Sequence, residues 1–147
     1  MKIGIASDHR GYELKEQLKE KLKKDSYQII DYGTNSTVSV DYPDYAFTLG
    51  ENVVKGNVDY GVAICGSGIG ISIACNKVKG IRCAKVSNKE EAKVTRIDNN
   101  SNIVAFGEKT SLNEAIEIIK TFVNTEESSL EKHQRRVKKI LDYEEQN

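Results

Sequence analysis

Six consecutive residues, Cys65-Gly66-Ser67-Gly68-Ile69-Gly70, set a thiol and a hydroxyl among three glycines. The apolar run Gly61-Val62-Ala63-Ile64 leads in and Ile71-Ser72-Ile73-Ala74 leads away, which reads as a turn between a buried strand and a helix. In such a turn glycine lets the backbone approach a ligand closely and presents N–H groups at a helix N-terminus, where negative charge is stabilised. An anion is expected there. A nucleotide P-loop does not fit, because it needs a Lys directly after the loop and none occurs before Lys77. The dinucleotide fingerprint fails too: its third glycine would fall on Ile71, and it belongs to the first βα turn of a chain. What remains is acid–base chemistry, in which the thiol removes a proton and the loop amides hold the resulting oxyanion.

Taken alone, Cys65 reads as a small buried hydrophobe at the end of a core strand, since free cysteine is among the most buried residue types. The glycine loop reverses that reading, because its amides favour negative charge on sulfur. Cys75, inside a predicted helix, and Cys83, in a predicted strand, lack such a setting and read as packing residues. Asp8 and His9 follow the first apolar run and reach the edge where the glycine loop opens, although Asp8 by itself reads as a helix cap. Lys132, His133 and Arg136 put phosphate-compatible donors on adjoining positions, against the commoner reading of a charge run as a solvated face. Lys109, just beyond a strand, is another such donor. Tyr42 beside Pro43 and Asn99 near a helix end stand open between site and structural roles.

The elements that must position these residues follow from periodicity. Ile3 to Ala6 is a strand, and Leu14, Leu18 and Leu22 mark the helix after it. Tyr27 to Ile30 is a second strand, and Pro43 can open a helix covering Ala46 to about Val54. The central strand, about Tyr60 to Cys65, feeds the glycine loop and a helix reaching about Val78. Ile81 to Val86 is a fourth strand, after which Ser87-Asn88-Lys89-Glu90 has the form of a capping box for a helix to about Ile97. Ile103 to Phe106 is a fifth strand, and Ser111 caps the helix beyond it. Five alternations of strand and helix argue for an α/β fold: a Rossmann-like three-layer α/β/α arrangement on a five-stranded parallel sheet. Ligands in that architecture collect beyond the carboxyl ends of the strands. The loops Ser7–Gly11, Cys65–Gly70, Asp98–Asn102 and Gly107–Thr110 are therefore expected on one edge. An extra charged helix, about 126–144, carries Leu130, Val137, Ile140 and Leu141 as an apolar stripe that packs back on the domain or on a second subunit.

The 147 residues suit one domain, which buries roughly two-thirds of its unfolded surface. With 22 basic and 22 acidic residues the net charge is +0, so no overall field favours nucleic acid or a membrane surface. The N-terminus enters a strand pattern at once and is not built like a signal peptide. Three cysteines without C-x-x-C spacing fit a reducing cytoplasm better than a disulfide or zinc framework. From the residues alone, the chain is an enzyme or binding protein for a small phosphorylated metabolite.

Five segments in order, Gly4-x-x-Ser7-Asp8-His9-x-Gly11, Asp41-Tyr42-Pro43, Ile64 to Ser72, Asn76-Lys77-x-x-Gly80-Ile81-Arg82 and His133-Gln134-x-Arg136-Val137, resemble the type B ribose-5-phosphate isomerases. That family also holds the galactose-6-phosphate isomerase subunits. The resemblance implies interconversion of ribose 5-phosphate and ribulose 5-phosphate through an enediolate, without metal or organic cofactor, in a homodimer or dimer of dimers whose sites are shared between subunits. It gives Cys65 the role of base, and Gly66, Ser67, Gly68, Ile69 and Gly70 that of an oxyanion-holding loop. The Ser67 hydroxyl shuttles protons and Asp8 opens the furanose ring. His9 and Tyr42 line the site, Asn99 holds the sugar, and Lys109, Lys132, His133 and Arg136 hold the phosphate. Ile71 stands where another branch of the family has a Glu base, so the chain resembles the cysteine branch. Asp98 stands where many members carry a ring-opening His, and an ionised carboxylate is a poor proton donor. Lys109 and Lys132 replace usual arginines, keeping charge but losing bidentate contacts. Alternatives are an isomerase of a six-carbon sugar phosphate, such as galactose 6-phosphate or allose 6-phosphate, and a catalytically weakened sugar-phosphate binding module.

Overall fold

The computed structural model describes residues 1–147. In chain order the elements are β1 (Lys2–Ser7), α1 (Tyr12–Lys24), β2 (Gln28–Asp31), α2 (Tyr42–Val54), β3 (Tyr60–Cys65), α3 (Ile69–Cys75), β4 (Cys83–Lys85), α4 (Lys89–Asn99), β5 (Ile103–Gly107), α5 (Leu112–Asn124) and α6 (Glu131–Gln146). The five strands form one sheet in the order β2-β1-β3-β5-β4, and every pairing is parallel. No helix is long and apolar enough to cross a membrane.

Because side chains alternate along a strand, each central strand feeds two cores. Ile3, Ile5, Val62, Ile64, Val104 and Phe106 pack with the apolar sides of α1, α4 and α5. Ala6, Ala63, Cys65, Ile103 and Ala105 pack with α2 and α3. The small residues on the second face let α2 and α3 lie close to the sheet, directly beneath the glycine loop. Register then sets the functional edge: Ser7 is level with Ile64, and Cys65 with Gly107. The chain crosses in opposite directions from β1 and β3, which opens a crevice between their carboxyl ends.

Several boundaries differ from the sequence-based expectation, each for a local reason. Helix α2 keeps the expected opening, starting at Tyr42 with Pro43 inside its first turn, where the missing N–H has no partner to lose. Helix α3 stops at Cys75 rather than near Val78, because the Asn76 side chain turns away to bridge Cys83, donating to its carbonyl at 2.9 Å and accepting from its N–H at 2.7 Å. Strand β4 shrinks to Cys83–Lys85, as Asn102 takes the Arg82 N–H and the Gly80 carbonyl outside the ladder. The α4 cap is Asn88, one residue beyond Ser87; Asn88 accepts from the Glu91 N–H, and Glu91 reaches back to the Ser87 N–H. At α5 the Ser111 hydroxyl accepts from the Glu114 N–H as expected. Helix α6 begins at Glu131, not near 126, and none of its residues is fully buried.

Candidate active site

Strands β1, β3 and β5 bring three of the four expected loops to one edge. Ser7–Gly11, Cys65–Gly70 and Gly107–Thr110 surround a cavity of about 710 Å³, lined by Asp8, Tyr42, Cys65, Gly66, Ser67, Gly70 and Lys109 among others. The Asp98–Asn102 loop is not there. Asp98 and Asn99 form the end of α4, which runs past the expected Ile97, and the link from Asn100 to β5 lies at the amino edge of the sheet, where the Asn102 carbonyl accepts from the Gly61 N–H. The reason is topological: in a parallel sheet every helix runs back to the opposite edge before the next strand begins.

Cys65 is the last residue of β3 and is 4% exposed, yet it lines the cavity, and its Sγ accepts the Gly68 N–H at 3.2 Å. Gly68 has φ +81°, and a Cβ there would sit 2.6 Å from the Phe106 carbonyl carbon, so only glycine allows both the turn and the approach to β5. The Glu108 N–H donates to the carbonyls of Cys65 and Gly66 at 3.0 and 3.2 Å, which ties the loop to the end of β5. The Ser67 hydroxyl accepts from the Ile69 N–H at 3.1 Å. The N–H groups of Gly66, Ser67 and Gly70 make no hydrogen bond within the chain. Helix α3 has only seven residues, so these loop amides, rather than a long helix dipole, supply the positive potential.

Asp8 is 5% exposed, and its Oδ1 accepts from the N–H groups of Arg10 and Gly11 at 3.0 and 3.1 Å, organising the turn into α1. His9 lies at the rim, where its Nδ1 accepts from the Val40 N–H at 3.1 Å; the imidazole is held by the segment before α2 rather than pointing freely into the cavity. Tyr42 leans over the loop: a Cβ on Gly70 would meet its Cζ at 2.7 Å and its hydroxyl at 3.0 Å.

The remaining expected residues gather at the amino edge. The Asp98 carboxylate stands 3.7 Å from His133 Nε2, which sets an imidazole of α6 beside the end of α4. His133 Nδ1 is buried without a hydrogen-bond partner. Asn99 accepts from the Thr95 hydroxyl through Oδ1 and from Arg82 Nε through its carbonyl. Lys132 and Arg136 are exposed on α6 and form no ion pair. One chain thus holds the expected site residues in two groups, on opposite edges of its sheet.

The other thiols differ from Cys65. Cys83 is pushed well above the usual thiol range by its contact with Cys75 and by burial. Sequence reasoning missed Arg10, Lys85, Ser87 and Glu114, which also line the cavity. Arg10 had a signal, being basic and directly after Asp8-His9; Lys85 and Ser87 reach the cavity only because β4 pairs with β5.

A parallel doubly wound sheet with a thiol and unpaired amides at its carboxyl edge defines an α/β protein built for proton transfer on a small anionic ligand. The ribose/galactose isomerase family model matches residues 3–140, and the chain belongs to that family. It is 48% identical to the YwlF protein of Bacillus subtilis, covering 100% of this chain and 99% of that protein. It superposes with a TM-score of 0.95 on ribose-5-phosphate isomerase B of Clostridium thermocellum, 46% identical over 99% of both chains. For the Mycoplasma genitalium enzyme, solved with bound ribulose 5-phosphate, the TM-score is 0.92 at 36% identity, covering 99% of this chain and 97% of that one.

Proposed function

We propose that this protein interconverts ribose 5-phosphate and ribulose 5-phosphate. The observation that carries the reading is Cys65 in the cavity lining, its sulfur accepting from the Gly68 N–H, beside the unpaired amides of Gly66, Ser67 and Gly70. As thiolate, Cys65 takes the proton from C2 of the open-chain aldose, and the electron pair moves into an enediolate whose oxygens the loop amides receive. Ser67 moves a proton between the two oxygens, and return of the proton to C1 gives the ketose. The reaction is redox-neutral, so these groups carry it without a cofactor. Asp8 assists ring opening, with His9 and Tyr42 at the rim.

Asp98, Asn99, Lys132, His133 and Arg136 serve the site of a second copy, since their own chain holds them on the far edge. Lys109 meets them there as the phosphate ligand from the first copy. The working form is a homodimer or a dimer of dimers in the cytoplasm, with α6 reaching toward the partner. Its surface suits this: Tyr42 on the cavity lining, and Ile69 and Ile73 on α3 just after the glycine loop, are 38%, 55% and 57% exposed in the isolated chain.

Solvent-deuterium exchange at C1 and C2 of ribulose 5-phosphate tests the activity. Wild type is expected to exchange, and Cys65→Ala to lose roughly 10²–10⁴-fold in rate, the usual contribution of a positioned base. Undiminished exchange in that variant would assign the proton transfer to another group. Comparing kcat/KM on ribose 5-phosphate and six-carbon sugar phosphates decides chain length.

A further inference from the structure

Arg10 is the only arginine lining the cavity. Its backbone N–H is fixed by Asp8, and its guanidinium is clamped by Glu108, Nε to Oε2 at 3.1 Å and Nη2 to Oε1 at 3.0 Å. Glu108 is itself anchored through its backbone to Cys65 and Gly66. The flat guanidinium therefore lies against the face of Gly66, where a Cβ would fall 2.7 Å from Nη1, 2.8 Å from Cζ and 3.0 Å from Nε. The clamp occupies Nε and Nη2, so Nη1 keeps its donors free beside the oxyanion loop. Arg10 shares the cavity lining with Asp8 and Cys65.

We propose that Arg10 is a further catalytic residue, whose guanidinium meets the oxyanion that develops beside Gly66 when Cys65 takes the substrate proton. The inference rests on the isomerase reading above. In that step the C2–H bond breaks, the S–H bond forms and the electron pair arrives on the carbonyl oxygen. The ground-state carbonyl is neutral, so a cation at this place acts more on the transition state than on binding. Gly66 has a second explanation in the same contact: any side chain there would displace the guanidinium.

The test compares wild type, Arg10→Gln and Arg10→Lys in turnover, and by calorimetry with two probes. One probe is a phosphorylated four-carbon hydroxamate, which mimics the planar enediolate; the other is inorganic phosphate. Arg10→Gln is expected to lower kcat and hydroxamate affinity by about 10- to 100-fold, while KM and phosphate affinity stay within about twofold. Arg10→Lys, which keeps the charge but not the fork, is expected between the two. Unchanged kcat and hydroxamate affinity in Arg10→Gln would overturn the proposal, as would an equal loss of phosphate affinity, which would make Arg10 a phosphate ligand. Wild type that binds phosphate but neither binds the hydroxamate nor turns over would instead overturn the isomerase reading, and this role with it.

Discussion

Lys15 shows how far a single residue can depart from its type. It is fully buried, with Nζ 2.7 Å from Asp31 and 3.3 Å from Glu16, while Lys19 also reaches Asp31 at 2.7 Å. Burial alone would raise the Asp31 carboxyl, but hydrogen bonds from Lys15, Lys19 and the Gly33 N–H outweigh it and hold the group below its ordinary range. A depressed carboxyl stabilises the fold above its unfolded value of about 4, and that contribution is lost as pH falls through the folded value. Asp31→Asn is expected to destabilise by about 2 kcal/mol at neutral pH, below the roughly 3–5 of a fully buried pair because the Asp31 side chain is 28% exposed. Urea unfolding should show the gap between variant and wild type narrowing below about pH 4. A gap that does not change with pH would mean packing, not charge, is lost. None of this was legible in sequence, where Lys15 belongs to a charged stretch, Tyr12 to Lys24, around the Leu14, Leu18 and Leu22 stripe.

At the scale of elements, the β3–α3 turn is the piece on which the site depends. Its geometry needs a left-handed residue at position 68 and close contact with the Phe106 backbone. Gly68→Ala is expected to cost at least about 1–2 kcal/mol from the backbone conformation alone. It should also cut activity more than stability, because the Gly68 N–H to Cys65 Sγ contact moves with the turn. Thermal melts beside turnover measure both, and a variant of wild-type activity would show that the loop tolerates displacement. Ser111→Ala makes a contrasting case, expected to cost about 1 kcal/mol through loss of the α5 cap while leaving kcat unaltered.

At the scale of the whole molecule, the proposed sharing of sites between copies has a direct consequence. If the Cys65 edge of one copy meets the His133 edge of another, inactive variants that damage opposite edges should complement. Cys65→Ala and Arg136→Ala, each depleted in activity, are expected to regain about a quarter of wild-type activity when subunits are exchanged, since half of the dimers are mixed and each holds one intact site of two. Sedimentation of the wild type should give a dimer or a tetramer. No recovery on verified subunit exchange would place each site within one chain.

Local chemistry wrote much of this protein into its sequence. Alternating strand and helix patterns specified the five-stranded α/β layer, the glycine spacing specified the loop after Cys65, and Ser111 announced its helix, because each depends on neighbours within a few residues. Boundaries at Asn76, Asn88 and Asn102 were less legible, as these side chains choose between their own turn and a distant backbone group. Tertiary structure alone decided which loops share an edge: the stretch from Asp98 to Asn102 has a loop-like composition, but the return of α4 carries it away from Cys65. It also decided that Arg10 is clamped by Glu108 over Gly66, a contact between residues 98 positions apart that no local pattern encodes.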